Sequence, residues 1–160
     1  MNDPIVTTPT QTPLPFQVTK RFSGYSTAHR LWKATSHCRF IHGYDRSFDV
    51  TFGCTELDAN GWVVDFGGLK QVHKNIEDKF DHKTVIASDD PLMSEFLLLE
   101  RMGGCELTVM PHPGMEGAAE WVAAMITLWI RTQPATAERV YVVKVVAREN
   151  DKNAVVYQCG

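Results

Sequence analysis

Period-two alternation of apolar residues near both ends of the chain, with helical periodicity between them, predicts an α+β domain. In it, helices lie on one face of an antiparallel sheet. Three observations carry this. Apolar and polar residues alternate from Phe16 to Ala28 and again through Phe48, Val50 and Phe52. Apolar residues recur at helical spacing through Phe66, Leu69, Val72 and Ile76, and again through Ala118, Val122, Met125 and Trp129. Two β-rich runs, Val140 to Ala147 and Ala154 to Tyr157, flank the turn Asn150-Asp151-Lys152-Asn153, which predicts a closing hairpin.

In chain order, residues 1–15 (MNDPIVTTPTQTPLP) are rich in Thr and Pro, with little to bury, and are expected to be a disordered N-terminal tail. Residues 16–160 are expected to form a single domain. The first strand is followed by a second whose inward face, extended backwards from Phe48, carries His42 and Tyr44. After a turn at Asp58-Ala59-Asn60-Gly61, Asp65 is placed to cap a helix running to about Phe80. Asp90-Pro91 opens a shorter helix through Leu99, and Gly103-Gly104 ends it. Glu106 to Met110 reads as a brief strand. A third helix is expected from about Met115 to Arg131, with Trp121 and Leu128 widening its apolar stripe. No repeat is visible at a period of about 20 to 50 residues.

The chain has 160 residues and a formal net charge of -3, with its basic residues scattered, so it shows no electrostatic footprint for a nucleic-acid backbone. A small-molecule partner is the expectation. The four cysteines, Cys38, Cys54, Cys105 and Cys159, have no Cys-x-x-Cys spacing and are too sparse for a disulfide scaffold, which suits a reducing cytosol. No apolar run approaches the roughly 20 residues that span a bilayer, and the N-terminus lacks the pattern of a signal peptide. A cytoplasmic protein without a membrane role is expected.

Chemistry concentrates at Ala28-His29 and in Cys38-Arg39-Phe40-Ile41-His42-Gly43-Tyr44. Two imidazoles, a thiol and a phenol within a strand and a loop are the ingredients of a metal-dependent site with its own nucleophile or base. Each also has a plain structural alternative: a satisfied histidine, or an inert buried thiol. Asp81-His82 follows a helix end, where a carboxylate can orient an imidazole or merely cap the helix. Glu149 ends an apolar strand, and Glu116 opens the third helix, where the helix dipole favours a carboxylate.

In order and spacing these segments resemble the family of 6-pyruvoyl and 6-carboxy-tetrahydropterin synthases. The landmarks are Ala28-His29-Arg30-Leu31, Cys38 to Tyr44, Gly61-Trp62-Val63-Val64-Asp65-Phe66, Asp81-His82-Lys83, Pro113-Gly114-Met115-Glu116 and Arg148-Glu149-Asn150. The resemblance implies the tunnelling fold, assembled into barrels as a homohexamer of two stacked trimers with active sites between subunits. It also implies zinc on His29 and His42, Cys38 as the catalytic thiol, Asp81 and His82 as a proton relay, and a pterin held by Glu149 with Glu116. The short Cys38-to-His42 spacing is similar to that of bacterial 6-carboxy-tetrahydropterin synthases of queuosine biosynthesis. Those enzymes convert 7,8-dihydroneopterin triphosphate to 6-carboxy-5,6,7,8-tetrahydropterin, acetaldehyde and triphosphate. A pyruvoyl synthase, an aldolase-like activity and a non-catalytic pterin-binding protein are the alternatives.

The family motif reads His-Gly-His, whereas here the third position is Tyr44. A phenol, with an unperturbed pKa of about 10, binds metal only once deprotonated. Tyr44 as phenolate, His37 as a substitute ligand, and a site without zinc therefore stand as three readings. Retention of Cys38, His29, His42, Asp81, His82 and Glu149 favours the first two. The stretch before the third helix also departs from the family, reading His112-Pro113-Gly114.

Overall fold

The computed structural model describes residue 13 and residues 15–160; the expected tail, residues 1–15, lies outside them apart from Pro13 and Pro15. Six strands form one sheet: β1 (Gln17–His29), β2 (His42–Cys54), β3 (Lys83–Ala87), β4 (Leu107–Met110), β5 (Val140–Arg148) and β6 (Ala154–Gln158). Three helices accompany it: α1 (Lys70–Phe80), α2 (Met93–Arg101) and α3 (Met115–Thr132). The strand order is β4-β3-β1-β2-β5-β6.

The antiparallel expectation holds for β1, β2, β5 and β6 and fails at the other end of the sheet, where β3 pairs parallel with both β1 and β4. β3 itself is an addition to the sequence reading. Its Lys-Thr-Val-Ile-Ala run follows α1 with only Asp81 and His82 between, so the helix acts as the crossover that a parallel pairing requires.

The longest strand pair, β1 with β2, sets the site's frame. Its register places His29 opposite His42, Thr27 opposite Tyr44 and Tyr25 opposite Arg46. The pairing shifts between Phe22 and Tyr25, where Gly24 adopts φ +91. This bulge lets Phe22 and Tyr25, three residues apart, both reach the core, where each is 2% exposed. Phe48, Val50 and Phe52 of β2 lie on the same face, with Val142, Val145 and Ala147 of β5 in the same core cluster.

α1 and α3 cover that face. Val72, Ile76 and Phe80 of α1 are buried, and Phe80 meets Phe48 at 5.3 Å and Trp121 at 5.5 Å between ring centroids. Asp65 caps as expected, accepting from the Gly67 amide, but it opens a 3-10 turn over Phe66–Leu69 that leads into α1. The stripe on α3 is rotated from the expected one. Ala118, Ala119, Val122, Ala123, Ile126 and Ile130 are buried, while Met125 and Trp129 lie at the margin and Leu128 is 64% exposed. Alanines let the helix approach the sheet closely, which moves the bulky residues to the flanks. At the helix start, a side chain on Gly117 would collide with the His112 carbonyl, so glycine there lets the 111–113 segment cross over α3.

Asp90 opens α2 by accepting from the Leu92 amide, and its buried carboxylate takes the Arg30 guanidinium at 2.9 Å. Among the described residues, no helix is long and apolar enough to cross a membrane.

Candidate active site

Because side chains alternate along strands, His42, Tyr44 and Arg46 of β2 and Tyr25, Thr27 and His29 of β1 share the face that carries the core. Towards the His29–His42 end of this pair, the apolar core gives way to polar groups. The His29 and His42 ring centroids are 4.4 Å apart, and Tyr44 lies 6.2 Å from the first and 5.6 Å from the second. Two imidazoles and a phenol, placed in one row by strand register, are thus a tertiary cluster and not a coincidence of spacing.

His29 is 1% exposed, and its Nδ1 has no hydrogen-bond partner. Burial, then the charge of Arg46, then His42, push its pKa down to about 3, so the ring is neutral at physiological pH. His42 Nδ1 lies 2.7 Å from the Phe40 carbonyl. A carbonyl oxygen only accepts, so Nδ1 carries a proton, which leaves Nε2 as the nitrogen that can face a metal. Two imidazoles with an open nitrogen each suit a divalent metal.

A cavity of about 240 Å³ opens beside this row, lined in part by His29, Gly114, Glu116, Glu149 and Asn153. Glu149 follows directly on the end of β5, whose last residue, Arg148, pairs with Ser47, and its amide donates to the Asn153 carbonyl at 3.3 Å as the chain turns towards β6. Glu116 reaches the cavity from the first turn of α3.

The remaining sequence candidates stand elsewhere. Cys38 and His37 lie in a 3-10 turn, His37–Arg39, which is tied to the end of β1 by the Leu31 amide donating to the Cys38 carbonyl at 2.8 Å. Cys38 is partly exposed, and His37 is exposed and outside the ring cluster. Asp81 and His82 form their own pair at 2.9 Å, with the His82 side chain 82% exposed. That hydrogen bond is the first reason the Asp81 carboxyl titrates below its ordinary range. The pair is pinned to β1, since the Ser26 amide donates to Asp81 and the His82 amide donates to the Ser26 carbonyl. His82 adopts φ 56, the left-handed conformation, to make this turn. None of these four residues lines the cavity of His29, Glu116 and Glu149.

Arg46 was missed by the sequence reading. It is completely buried, between Tyr44 and Phe48 on the inward face of β2, and its Nη2 donates to the Pro113 carbonyl at 3.1 Å. The signal was available: parity on β2 puts an arginine at an inward position among apolar residues.

Comparison with known proteins places the whole arrangement. Residues 17–159 match the family described as 6-pyruvoyl tetrahydropterin synthase. A 6-carboxy-5,6,7,8-tetrahydropterin synthase of Rickettsia felis is 31% identical over 72 residues, 44% of this chain and 52% of the relative. The matched region thus spans about half the length of that relative. The synthase of the same description from Aquifex aeolicus is 24% identical over 89% of this chain and 98% of its own length. Among solved structures, an uncharacterized protein of Wolinella succinogenes superposes with a TM-score of 0.76 at 23% identity, over 91% of this chain and 98% of that one. A 6-pyruvoyltetrahydropterin synthase of Plasmodium vivax gives 0.69 at 15% identity, with the same coverage. These two likenesses bear on the fold. Because the family match takes in residues 17–159, most of the chain, the chain belongs to the 6-pyruvoyl tetrahydropterin synthase family.

Proposed function

We propose that this protein is a metal-dependent lyase that converts 7,8-dihydroneopterin triphosphate to 6-carboxy-5,6,7,8-tetrahydropterin, releasing acetaldehyde and triphosphate. Members of its family are enzymes, and the curated relatives it matches carry the 6-carboxy description. The observation that carries the reading is the cross-strand row of His29, His42 and Tyr44 beside a cavity bounded by Glu116 and Glu149.

The donor set fits a divalent ion. His29 has a buried nitrogen without a partner, and His42 has its Nδ1 proton engaged by Phe40, so both are prepared as ligands. Among the described residues no group of three His, Cys, Asp or Glu side chains stands together, and the Tyr44 ring lies beside both imidazoles, which supports its oxygen as the third protein donor. His37, exposed and outside the ring cluster, is less well placed for that role. An oxygen in the set broadens the choice of metal, with zinc the first candidate. At this place a bound zinc supplies Lewis acidity.

The chain's own groups do the rest. Glu149 accepts hydrogen bonds from the ring-edge N–H groups of the pterin and fixes its orientation, with Glu116 on the opposite wall of the cavity. Cys38 serves as the thiol base and the Asp81–His82 pair as the relay that returns the proton. Neither lines the cavity of His29 and Glu149, which is compatible with the homo-oligomer that the resemblance implies, its active sites lying between copies.

Incubation of the zinc-supplied protein with 7,8-dihydroneopterin triphosphate, followed by mass spectrometry, tests the reading. The expected product is 6-carboxy-5,6,7,8-tetrahydropterin; the 6-pyruvoyl product would reassign the reaction within the family, and unchanged substrate would overturn it. One observation favours a second reading, a pterin-binding protein without catalysis: Tyr44 stands where the resemblance calls for a third histidine. Pterin affinity that survives chelation, in a protein without turnover, is its signature.

A further inference from the structure

Another cavity, of about 320 Å³, lies between β1 and the start of α1, away from the His29–His42 row. Lys20 lines it and stands nine residues along β1 from His29, roughly 25–30 Å at the rise of a strand. Four of its lining residues are basic, Lys20, Arg21, Lys70 and His73, and none is acidic, in a chain whose net charge is -3. The carboxylates adjacent in register or helix turn are already engaged. Asp49 takes Arg21 and Arg148, and Glu77 and Asp78 take Lys74. Among the described residues, neither Lys20 nor Lys70 enters an ion pair, and the Lys20 Nζ faces the Phe66 ring, 5.7 Å from its centre. The first turn of α1, which Lys70 opens, carries no acid and no side-chain cap, so nothing on the helix offsets these charges.

His73 adds a directed donor. Tyr25 is 2% exposed, and its hydroxyl lies 2.9 Å from His73 Nδ1, its one partner among the described residues. A buried phenol has to place its proton on an acceptor, so the hydroxyl donates to Nδ1, and the ring proton of His73 sits on Nε2.

We propose that this cavity is a site for a phosphate-class anion, held by Lys20 and Lys70, with the His73 Nε2–H as the directed donor. Two cations without acidic partners, brought together from a strand and a helix, match a doubly charged group with several acceptor oxygens better than a single carboxylate. Phe66 offers a flat face to any organic portion of the ligand. The inference is independent of the pterin reading, because the cavity shares no lining residue with that of Glu116 and Glu149.

The test is titration calorimetry of the full chain with pyrophosphate at low ionic strength, without added metal or pterin. Saturable binding is expected, weakened about tenfold or more in Lys20→Met/Lys70→Met, with each single variant in between. Methionine keeps most of the apolar stem and removes the charge. Lys144→Met/Lys152→Met, which removes as much charge from the β5–β6 hairpin, is expected to bind within about twofold of the parent. ADP in place of pyrophosphate separates two sources of such an anion: tighter binding supports a phosphate ester seated on Phe66, and binding no tighter supports a free inorganic anion. Pyrophosphate should also raise the urea midpoint of the parent and not that of Lys20→Met/Lys70→Met. No saturable binding by the parent, parent-like affinity in Lys20→Met/Lys70→Met, or an equal loss in the hairpin control would overturn the proposal. If the double variant fails to fold, Lys70→Met alone, at an exposed position, decides the matter by the same comparison.

Discussion

At the scale of single residues, the proposed function separates groups that would bind from groups that would react. Glu149 lines the cavity, so Glu149→Ala should abolish most pterin affinity, measured by titration. Cys38 lies apart, so Cys38→Ala should leave affinity nearly intact while lowering turnover by about a hundredfold or more, measured under single-turnover conditions. Equal turnover of Cys38→Ala and the parent would count against the thiol base. Metal binding divides along the same lines. His29→Ala should remove stoichiometric zinc, read by a chromophoric chelator. Tyr44→Phe, which deletes only the oxygen, should weaken zinc if the phenol is the third ligand and leave it unchanged if it is not. The candidates were legible in the sequence to different degrees. Residue types and order along the chain pointed to His29, His42, Cys38 and Glu149, whereas Arg46 is reached only by extending the parity of β2 back from Phe48, a step no residue motif prompts.

At the scale of elements, the outer face of the sheet is tied together by a carboxylate shared between two arginines. Asp49 of β2 accepts from Arg21 of β1 at 2.6 and 2.8 Å and from Arg148 of β5 at 3.2 Å. The Arg21 hydrogen bond is the first cause of Asp49's depressed pKa. The sign follows from the depression: the folded state holds the carboxylate, so the stabilisation is full above the unfolded pKa of about 3.9 and is lost as pH falls through the lower folded value. Asp49→Asn should therefore reduce the urea midpoint at pH 7, with the deficit shrinking on acidification below about pH 4. Constant destabilisation across that range would show that the pair contributes nothing through its charge. On the inner face, Phe48 is completely buried between Tyr25 and Phe80, and Phe48→Ala should cost about 3–5 kcal/mol in chemical unfolding. The elements that sequence alone located are those with a local period or a clear boundary signal, namely β1, β2, α1, α2, β4, α3 and the β5–β6 hairpin. β3 escaped because no Gly or Pro boundary sets Lys83–Ala87 off from α1, as Gly103-Gly104 sets off β4, and its parallel direction is decided by a crossover, which no local pattern encodes. The α3 stripe was misplaced by about one residue's rotation for a related reason. Weighting bulky side chains favoured Met125 and Trp129, whereas close helix–sheet contact selects the alanines and isoleucines.

At the scale of the whole molecule, the sheet is open at both ends among the described residues. There β4 pairs with β3 alone and β6 with β5 alone, and the two edges carry apolar side chains in solvent: Val109 is 45% exposed and Val156 is 55% exposed. Unpaired backbone groups beside exposed valines are an invitation to pair with another chain. The separation of Cys38 and the Asp81–His82 pair from the Glu149 cavity provides a functional counterpart, since a copy docked at an edge can supply what one chain leaves out of the lining. Sedimentation equilibrium at micromolar concentration should therefore give a mass several times the 18.0 kDa of one chain. Charging both edges, by Val109→Lys together with Val156→Lys, should reduce the assembly to single chains, because like charges on edge strands oppose pairing. Both positions are already solvent-exposed in one chain, so the fold should persist, as a helix and sheet signal unchanged in circular dichroism would show. Turnover should fall with the mass, while pterin affinity through Glu149 falls less. A double variant that dissociates yet keeps full turnover would mean that one chain holds a complete site, and a parent protein that sediments as one chain would remove the role of the edges altogether.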